Sequence, residues 1–231
     1  MTTPAPATAP EPTPAPPTGL ADVFPPFGLV VRAGDLTMRL LQDADLPEYG
    51  ALLRRPIFAE PDSPHVFPWY QVEPEERVRK ALQFQWSLRS RISPEEWTLA
   101  FGIWARGRLI GCQDVRALRF AERRTVGSGS WLTLEEQGQG YGKLMRQAML
   151  VLAFDHLGAE AAESAAIEGN ARSFATSHAC GYVDNGIGRS TMSGVDAMEQ
   201  RFRVTPETFI RPAMPVEVEG LTPPLRAMLG A

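Results

Sequence analysis

The chain has 231 residues, 44% of them hydrophobic, and a formal net charge of −4 at pH 7. This length is enough for one large domain with a buried core, and the slightly acidic balance argues against nucleic acid as a partner. The apolar runs are shorter than the ~18–20 residues of a membrane span, and the two cysteines and three histidines lack the spacing of metal ligands. Residues 1–31 contain no Lys or Arg, so we expect no signal peptide and predict a cytoplasmic protein without a metal or a membrane partner.

The first 17 residues contain seven prolines among alanines and threonines. Proline fixes φ and removes a backbone donor, which predicts an extended, disordered tail over residues 1–27. Such a tail is solvated by default, and docking onto an aromatic groove is the alternative. The folded domain is expected to cover residues 28–210, followed by a Pro-rich C-terminal extension over residues 211–231.

Between these ends, the hydrophobic pattern predicts alternating strands and helices. The predicted strands cover residues 36–40, 97–104, 109–118, 125–134 and 161–168, with two more on either side of an Asn185-Gly186 turn. The predicted helices cover residues 43–55, 75–92, 141–156 and 170–180, and a short helix and a Pro-rich tail follow residue 205. The fold class is therefore α+β or α/β, with a mostly antiparallel sheet and one central strand–loop–helix–strand unit.

Residues 137–143 read QGQGYGK and lie between a predicted strand and a predicted helix. A glycine loop in this place points backbone N–H groups at one spot, with the positive end of the helix dipole behind them, and this geometry binds phosphate. The spacing is not GxxxxGK[ST], because Gln137 and Leu144 occupy fixed positions of that motif, and Lys143 breaks GxGxxG. A turn that binds nothing needs only one or two glycines.

Two patterns in the chain resemble those of a known superfamily. Gln137-Gly-Gln-Gly140-Tyr-Gly142 fills [QR]-x-x-G-x-[GA], and so resembles the phosphate loop of the GNAT superfamily of acyl-CoA-dependent N-acyltransferases. Asn170-Ala-Arg-Ser173, followed by Gly181-Tyr182, is similar to the N-x-x-S…G-[FY] pattern of the RimJ/RimL-type branch. The early stretch MRLLQDADLPEY also resembles this branch, so the resemblance covers residues 35–205.

The resemblance implies a GNAT fold, in which a mixed, mostly antiparallel sheet is splayed around the CoA site and flanked by helices. It also implies that the pantetheine arm of acetyl-CoA, or of another short acyl-CoA, pairs with a strand edge while the pyrophosphate binds the glycine loop. The cofactor-binding residues carried over are Trp131, Leu132, Thr133, Gln137, Gly138, Gln139, Gly140, Tyr141, Gly142, Lys143, Asn170 and Ser173. For Asn170 the alternative is a helix N-cap, and both roles can hold together.

In this superfamily an amine attacks the thioester directly, so the amine must lose its proton to a base. Glu168 is our candidate base, preferred to Glu163 because it ends its strand near the expected splay; a solvated strand-end carboxylate is the alternative. Ser130, with Ser128, is expected to order a catalytic water. Many members place a tyrosine acid seven residues after the motif asparagine. Here that position is Ser177, whose hydroxyl can only relay a proton or hydrogen-bond the leaving sulfur.

Two further groups of side chains bear on specificity. The aromatic side chains of the Pro-rich connection at residues 56–74 either wall the acceptor or acyl pocket, or form a satellite hydrophobic cluster under the loop. They are Phe58, Phe67, Trp69 and Tyr70. Four arginines are surface charges by default, or one of them pairs with a carboxylated acyl group such as succinyl. They are Arg32, Arg39, Arg54 and Arg55.

The function predicted by this resemblance is transfer of an acetyl or succinyl group from acyl-CoA to a primary amine of a protein N-terminus or a small molecule. The alternative is a catalytically silent module that binds CoA or a partner, favoured by the missing tyrosine at Ser177. A third hypothesis, a nucleotide-binding enzyme, predicts that ATP or NAD stabilises the protein better than CoA does. We expect a monomer or a homodimer.

Overall fold

The computed structural model describes residues 18–60, 67–70, 72–190 and 196–231, and the predicted tail up to residue 17 lies outside this range. Nine strands run through the described part of the chain. They are β1 Val30–Ala33, β2 Leu36–Leu40, β3 Glu96–Ala105, β4 Arg108–Leu118, β5 Thr125–Leu132, β6 Ala161–Ile167, β7 Val183–Arg189, β8 Met198–Val204 and β9 Glu217–Glu219. They form one sheet in the order β7-β8-β6-β5-β4-β3-β2-β1-β9. The predicted class, a mixed and mostly antiparallel sheet, is confirmed.

Helices cover both faces of this sheet. They are α1 Leu20–Val23, α2 Leu46–Leu52, α3 Pro74–Arg89, α4 Phe120–Arg123, α5 Tyr141–Val151, α6 Ala171–Ala179 and α7 Pro223–Leu229. The larger core cluster joins α5 and α7 to one face, and a smaller cluster joins α2 and α3 to the other face, where Cys112 and Trp131 point. None of the helices in the described ranges is both long and apolar enough to cross a membrane.

Strands β5 and β6 are parallel neighbours for only three residues each. The paired residues are Thr125 to Gly127 on β5 and Ala161 to Glu163 on β6. Beyond this point β5 pairs only with β4, and β6 pairs only with β8. The two strands therefore diverge, and we call the gap between residues 128–132 and residues 164–167 the cleft. Its side towards α5 and α6 is the helix side, and the opposite side is the open side.

The predicted hairpin turn at Asn185-Gly186 is wrong. Strand β7 runs through it, and the register with β8 shifts between Asp184 and Ile187. Gly186 has φ +89°, so its positive φ forms a bulge within the strand instead of a turn. The chain reverses farther along, where the N–H of Ser190 donates to the carbonyl of Ala197.

Both ends of the chain are more ordered than the composition predicts. Residues 20–28 form α1 and a 3-10 turn in which Pro26 is buried, although the sequence predicts that residues 20–27 belong to the tail. At the C-terminus, β9 pairs with β1, and α7 buries Leu225 and Leu229 completely. The prolines of α7 occupy its first turn after the N-cap Thr222, where proline needs no N–H donor.

The C-terminal helix should therefore stabilise the core. We expect Leu225→Ala to lower the free energy of unfolding by about 2–4 kcal/mol, because it removes a fully buried side chain. Ile210→Ala, at a side chain that is 49% exposed in the same terminal segment, is the control and should cost under about 1 kcal/mol. Denaturant unfolding measures both, and equal small losses would mean that α7 is a peripheral extension.

Candidate active site

The glycine loop connects the end of β5 to α5 and leaves its backbone bare. Gly138 and Gly140 have φ of +77° and +88°, values that favour glycine, and a Cβ added at either residue would meet no atom within 4 Å. In the described part of the chain, none of the N–H groups from Gly138 to Lys143 donates to a protein acceptor. These N–H groups face open space at the positive end of α5, which is the geometry of an anion site.

The side chain of Gln137 fixes this loop in place. Its Nε2 donates to the carbonyls of Ile57 at 2.8 Å and Leu132 at 3.0 Å, and its Oε1 accepts from Arg172 Nη1 at 2.7 Å. All three partners belong to the protein, so this side chain positions the loop. The motif glutamine thus ties the loop to the end of β5 and to α6.

Two acidic residues precede the loop, and both are paired. Glu135 forms a salt bridge with Arg55, and Glu136 forms one with Arg108 at 3.0 Å. Glu136 is only 5% exposed, while Lys143 at the start of α5 is exposed. The arginines offset the negative charge beside the loop, so the N–H groups and the helix dipole set the local field.

The predicted cofactor contacts on β5 and α6 occupy the two sides of the cleft. Trp131, Leu132 and Thr133 lie at the end of β5, whose other edge is free beyond Gly127. Asn170 is the N-cap of α6, and its Oδ1 accepts the N–H of Ser173 at 3.1 Å. The capping role of Asn170 is thus present, and a cofactor contact by Asn170 or Ser173 stays a prediction.

A buried arginine lies on the helix side of the cleft. Arg146 on α5 is 4% exposed, and its guanidinium donates to Ser130 Oγ on β5 at 3.3 Å and to Ser164 Oγ on β6 at 3.4 Å. One guanidinium therefore spans both diverging strands. Within the described residues Arg146 forms no salt bridge, and its Nε has no hydrogen-bond partner.

Further buried polar groups surround this arginine. The side chains of Gln113, Ser128 and Tyr182 are at most 3% exposed and have polar atoms without a hydrogen-bond partner among the described residues. The ring of Tyr182 lies 5.6 Å from the Arg146 guanidinium, and burial raises the pKa of the tyrosine while Arg146 opposes this rise. We call this set the polar cluster. Its members are Gln113, Ser128, Ser130, Arg146, Ser164 and Tyr182. Unsatisfied buried polar atoms are costly, which is typical of a site that awaits a polar ligand.

A partly buried carboxylate, that of Asp114, lies across β5 on the open side of the cleft, with its side chain 31% exposed. Oδ1 of Asp114 on β4 accepts the N–H of Gly129 at 3.0 Å and pairs with Arg116 at 2.6 Å. A Cβ added to Gly129 would lie 2.9 Å from Oδ2 of Asp114, so only glycine leaves room for this carboxylate. Burial raises the pKa of Asp114, and Arg116 partly opposes the rise. Sequence reasoning missed Asp114; the alternating Gly127 and Gly129 were its available signal.

The two residues predicted as base and proton relay lie in different surroundings. Glu168 is exposed in the turn after β6, and within the described residues its carboxylate has no ion-pair partner. Its position matches the alternative of a solvated strand-end carboxylate, and its role as base stays a prediction. Ser177 on α6 is completely buried, its hydroxyl lacks a partner in the described ranges, and its role as a relay stays a prediction.

The aromatic connection packs against the open-side edge of β5. Trp69 lies 5.3 Å from Trp131 and 5.6 Å from Phe67, and Phe58 lies 5.4 Å from Tyr70. These rings join the smaller core cluster, so a satellite hydrophobic cluster is present. Because the cluster ends on Trp131, a residue of the cleft edge, a role as pocket wall stays a prediction for the same residues.

Each of the four arginines considered for an acyl carboxylate is paired with a protein carboxylate. The pairs are Arg32 with Glu219, Arg39 with Asp45, Arg54 with Glu75 and Arg55 with Glu135. The interpretation as surface charges therefore fits, and none of the four is left as a free cation for an acyl group. Sequence reasoning passed over Arg146, the buried arginine without an acidic partner.

A concavity of about 420 Å³ lies on the same face as Asp114, and we call it the trough. Its lining residues come from strands on both sides of the β5–β6 divergence and include Arg116 on β4, Gly127 on β5 and Glu163 on β6. By strand alternation, Arg116 and Gly127 share the face of Asp114 and Gly129. The trough thus opens at the point where β5 and β6 begin to diverge.

Residues 35–183 match the family model described as an acetyltransferase (GNAT) domain. The chain belongs to this family. It is an acyl-CoA-dependent N-acyltransferase, and the enzyme resembles solved structures of the predicted RimJ/RimL-type branch. RimJ of Mycobacterium smegmatis in complex with CoA-disulfide is 16% identical, with 79% of this chain and 90% of that chain covered and a TM-score of 0.63.

Two further structures have the same fold. RimL, an α-N-protein acetyltransferase in complex with coenzyme A, is 18% identical, with 76% of this chain and 97% of that chain covered and a TM-score of 0.62. The ribosomal-protein-S5-alanine acetyltransferase from Vibrio fischeri is 16% identical, with 78% and 98% covered and a TM-score of 0.58. In the described part of this enzyme, no three His, Cys, Asp or Glu side chains are grouped as metal ligands.

The bare loop yields a prediction for cofactor affinity. We expect Gly140→Ala to raise the Kd of CoA about tenfold or more, because the added methyl group projects into the space in front of the free N–H groups. Gly186→Ala is a matched control, since Gly186 has φ +89° and equally open surroundings but lies on β7. Calorimetric titration measures both variants, and equal CoA affinities would contradict the loop as the pyrophosphate site.

Proposed function

We propose that this enzyme transfers a short acyl group from acyl-CoA to the α-amine of a protein N-terminus by direct attack on the thioester. The observation that carries this proposal is the continuity of the loop with the cleft. Unpaired N–H groups from Gly138 to Lys143 lie at one end, and the free edge of β5 extends from them into the cleft. A pyrophosphate and an amide-bearing arm, joined as in CoA, fit these two features in order.

The acyl group would then lie where β5 and β6 separate. Backbone N–H groups on the free edge of β5 can polarise the thioester carbonyl as negative charge develops on its oxygen. Ser177, buried on α6 with an unpartnered hydroxyl, is our candidate to hydrogen-bond the leaving sulfur. Ser130, held by Arg146, is the candidate to order a water near the reacting carbon.

An α-amine is the acceptor that this chemistry favours. Its pKa of about 7.7–8.0 leaves a substantial neutral fraction near pH 7.5, whereas a lysine side chain near 10.4 is almost fully protonated. The trough is open enough to admit an extended chain end towards the cleft. RimL and the Vibrio fischeri relative are named as protein acetyltransferases, which supports a protein acceptor over a small molecule.

A second donor, an acyl group that ends in a carboxylate such as succinyl, is favoured by the polar cluster. A buried guanidinium without a carboxylate partner is unfavourable, and removing water from it is costly. Ser130 and Ser164 accept hydrogen bonds from two nitrogens of Arg146, but its Nε has no partner in the described residues. A terminal carboxylate on the acyl chain would accept hydrogen bonds from this guanidinium. Acetyl-CoA lacks this charge.

Thiol release from acetyl-CoA and succinyl-CoA tests the acyl transfer and the donor together. With a peptide that has a free N-terminus, we expect turnover that is lost when the N-terminus is blocked and lysine is the only amine. If no amine gives turnover while CoA still raises the melting temperature, the enzyme proposal fails and the silent CoA-binding module is supported.

Arg146→Met separates the two donors. If the polar cluster holds an acyl carboxylate, kcat/KM for succinyl-CoA should fall about 30-fold or more, and clearly further than kcat/KM for acetyl-CoA, for which Arg146 only supports Ser130. Gln147→Met is the matched control, because Gln147 is buried beside it on α5 but donates to Ile210 outside the cluster. Equal losses for both donors would contradict a donor-selective role for Arg146.

A further inference from the structure

We propose that Asp114 is the general base that removes the proton from the acceptor amine. This inference rests on the proposed acyl transfer and adds the residue that starts it. Asp114 belongs to β4, the neighbour of β5, and neither the glycine-loop motif nor the Asn170 motif includes it. The position of its oxygen atoms over β5 distinguishes it from the carboxylates of β6 and of the turn that follows β6.

The carboxylate of Asp114 lies across β5 at the start of the cleft. It accepts the N–H of Gly129, which is two residues beyond Gly127, the last residue of β5 that pairs with β6. A Cβ at Gly129 would be 2.9 Å from Oδ2, so the carboxylate lies directly over this glycine. It therefore lies where the strand edge becomes free, beside the expected position of the thioester.

The trough gives solvent access to the same part of β5. The trough opens on the face of Asp114 and is lined by Arg116, Gly127 and Glu163, next to the point of divergence. Gly127 and Gly129 add no side chains of their own to this face of β5, and the side chains of Arg116 and Asp114 lie over them. An amine that enters from the trough would therefore meet the Asp114 carboxylate before it reaches the strand edge. We place the CoA arm on the helix side with the polar cluster, so that the two reactants approach from opposite sides of the cleft.

The other acidic groups near the cleft are less suited to this role. Glu163 and Glu199 belong to β6 and β8, on the other side of the cleft from β4, and each pairs with an arginine of β8, Arg203 or Arg201. Glu168 is exposed beyond the end of β6, four residues after Ser164. Asp114 also pairs with an arginine, Arg116, but of these four carboxylates it is the one that lies over β5 and accepts the N–H of Gly129.

The acceptor nitrogen loses two protons during the reaction. The ammonium of the acceptor gives one proton to the Asp114 carboxylate, and the neutral nitrogen attacks the thioester carbon. A C–N bond forms, the C–S bond breaks, and the second proton lost from nitrogen goes to the departing sulfur as CoA thiol. Asp114 returns its proton to solvent through the trough, so that the net products are amide, thiol and one released proton.

Burial and the neighbouring charges shift the pKa of Asp114 in opposite directions. Burial raises the pKa of Asp114, while Arg116 on its own strand and Arg146 on α5 act in the opposite direction. The buried Cys112 thiol lies on the same strand, and burial raises its pKa, so it remains neutral. Because a raised pKa brings a carboxyl group closer to the pKa of an α-amine, the proton transfer is less uphill.

The test compares Asp114→Asn with the wild-type enzyme between pH 6.5 and 9.5, using acyl-CoA and a peptide with a free N-terminus. The asparagine keeps an oxygen that can accept the N–H of Gly129, so the fold and the CoA-induced rise in melting temperature should persist. We expect kcat to fall about 5- to 10-fold at pH 7, where only about a tenth of an α-amine is neutral without a base, with KM for acyl-CoA little changed. The deficit should shrink above about pH 9, where an α-amine is already neutral.

Asp45→Asn is the matched control. Asp45 also accepts a backbone N–H, from Gln42 at 2.7 Å, and pairs with an arginine, Arg39, but it lies outside the cleft. Its variant should keep kcat within about twofold. A deficit of Asp114→Asn that is below about threefold, or equal at pH 7 and pH 9.5, would overturn the proposal. A pH-dependent loss in Glu168→Gln instead would identify Glu168 as the base.

Arg116→Gln provides an independent measurement if Asp114→Asn does not fold. Arg116 lowers the pKa of Asp114, so its removal should move the acid limb of the kcat profile to higher pH. An unmoved limb would count against Asp114. Turnover by the wild-type enzyme tests the acyl transfer itself, so a failure of the general-base assignment is distinct from a failure of the proposed function.

Discussion

The divergence of β5 and β6 after three paired residues is the constraint on which the site depends. Each strand keeps a partner on its far side, β4 or β8, so the sheet stays intact while one strand edge is left free inside it. A free edge in a buried sheet needs hydrogen-bond partners, and an amide-bearing ligand arm can supply them. The glycine loop begins where this edge ends, and Gln137 ties the two together through the carbonyl of Leu132. The proposed cofactor site is therefore built mainly from backbone groups.

Two charged side chains of the proposed site lie on opposite faces of the sheet. On the helix side, Arg146 connects the diverging strands through Ser130 and Ser164. On the open side, Asp114 lies across β5 at Gly129. In the proposed reaction, Arg146 recognises the donor and Asp114 activates the acceptor amine. This division would let one cleft hold two reactants without mixing their polar contacts.

The fold and the conformation of the glycine loop could be predicted from the sequence because their signals are local. The glycine spacing requires positive φ within a few residues, and Asn170 caps the helix that it precedes. Arg146 and Asp114 could not be found in this way, because their partners lie 15–18 residues away and meet them only across the sheet. Strand β9 has three residues, which are too few for a periodic pattern. An Asn-Gly pair can form a strand bulge as well as a hairpin turn, so the sequence at residues 185–186 does not distinguish the two.

Hydrogen–deuterium exchange of the backbone N–H groups, with and without CoA, tests the central claim most directly. The groups at residues 138–143 have no protein acceptor in the described part of the chain, and residues 128–132 form the free edge of β5. Both segments should become protected together when CoA binds, while residues 183–189 of β7 should not change. Protection of neither segment, at a CoA concentration that saturates binding, would contradict a cofactor site built along this cleft.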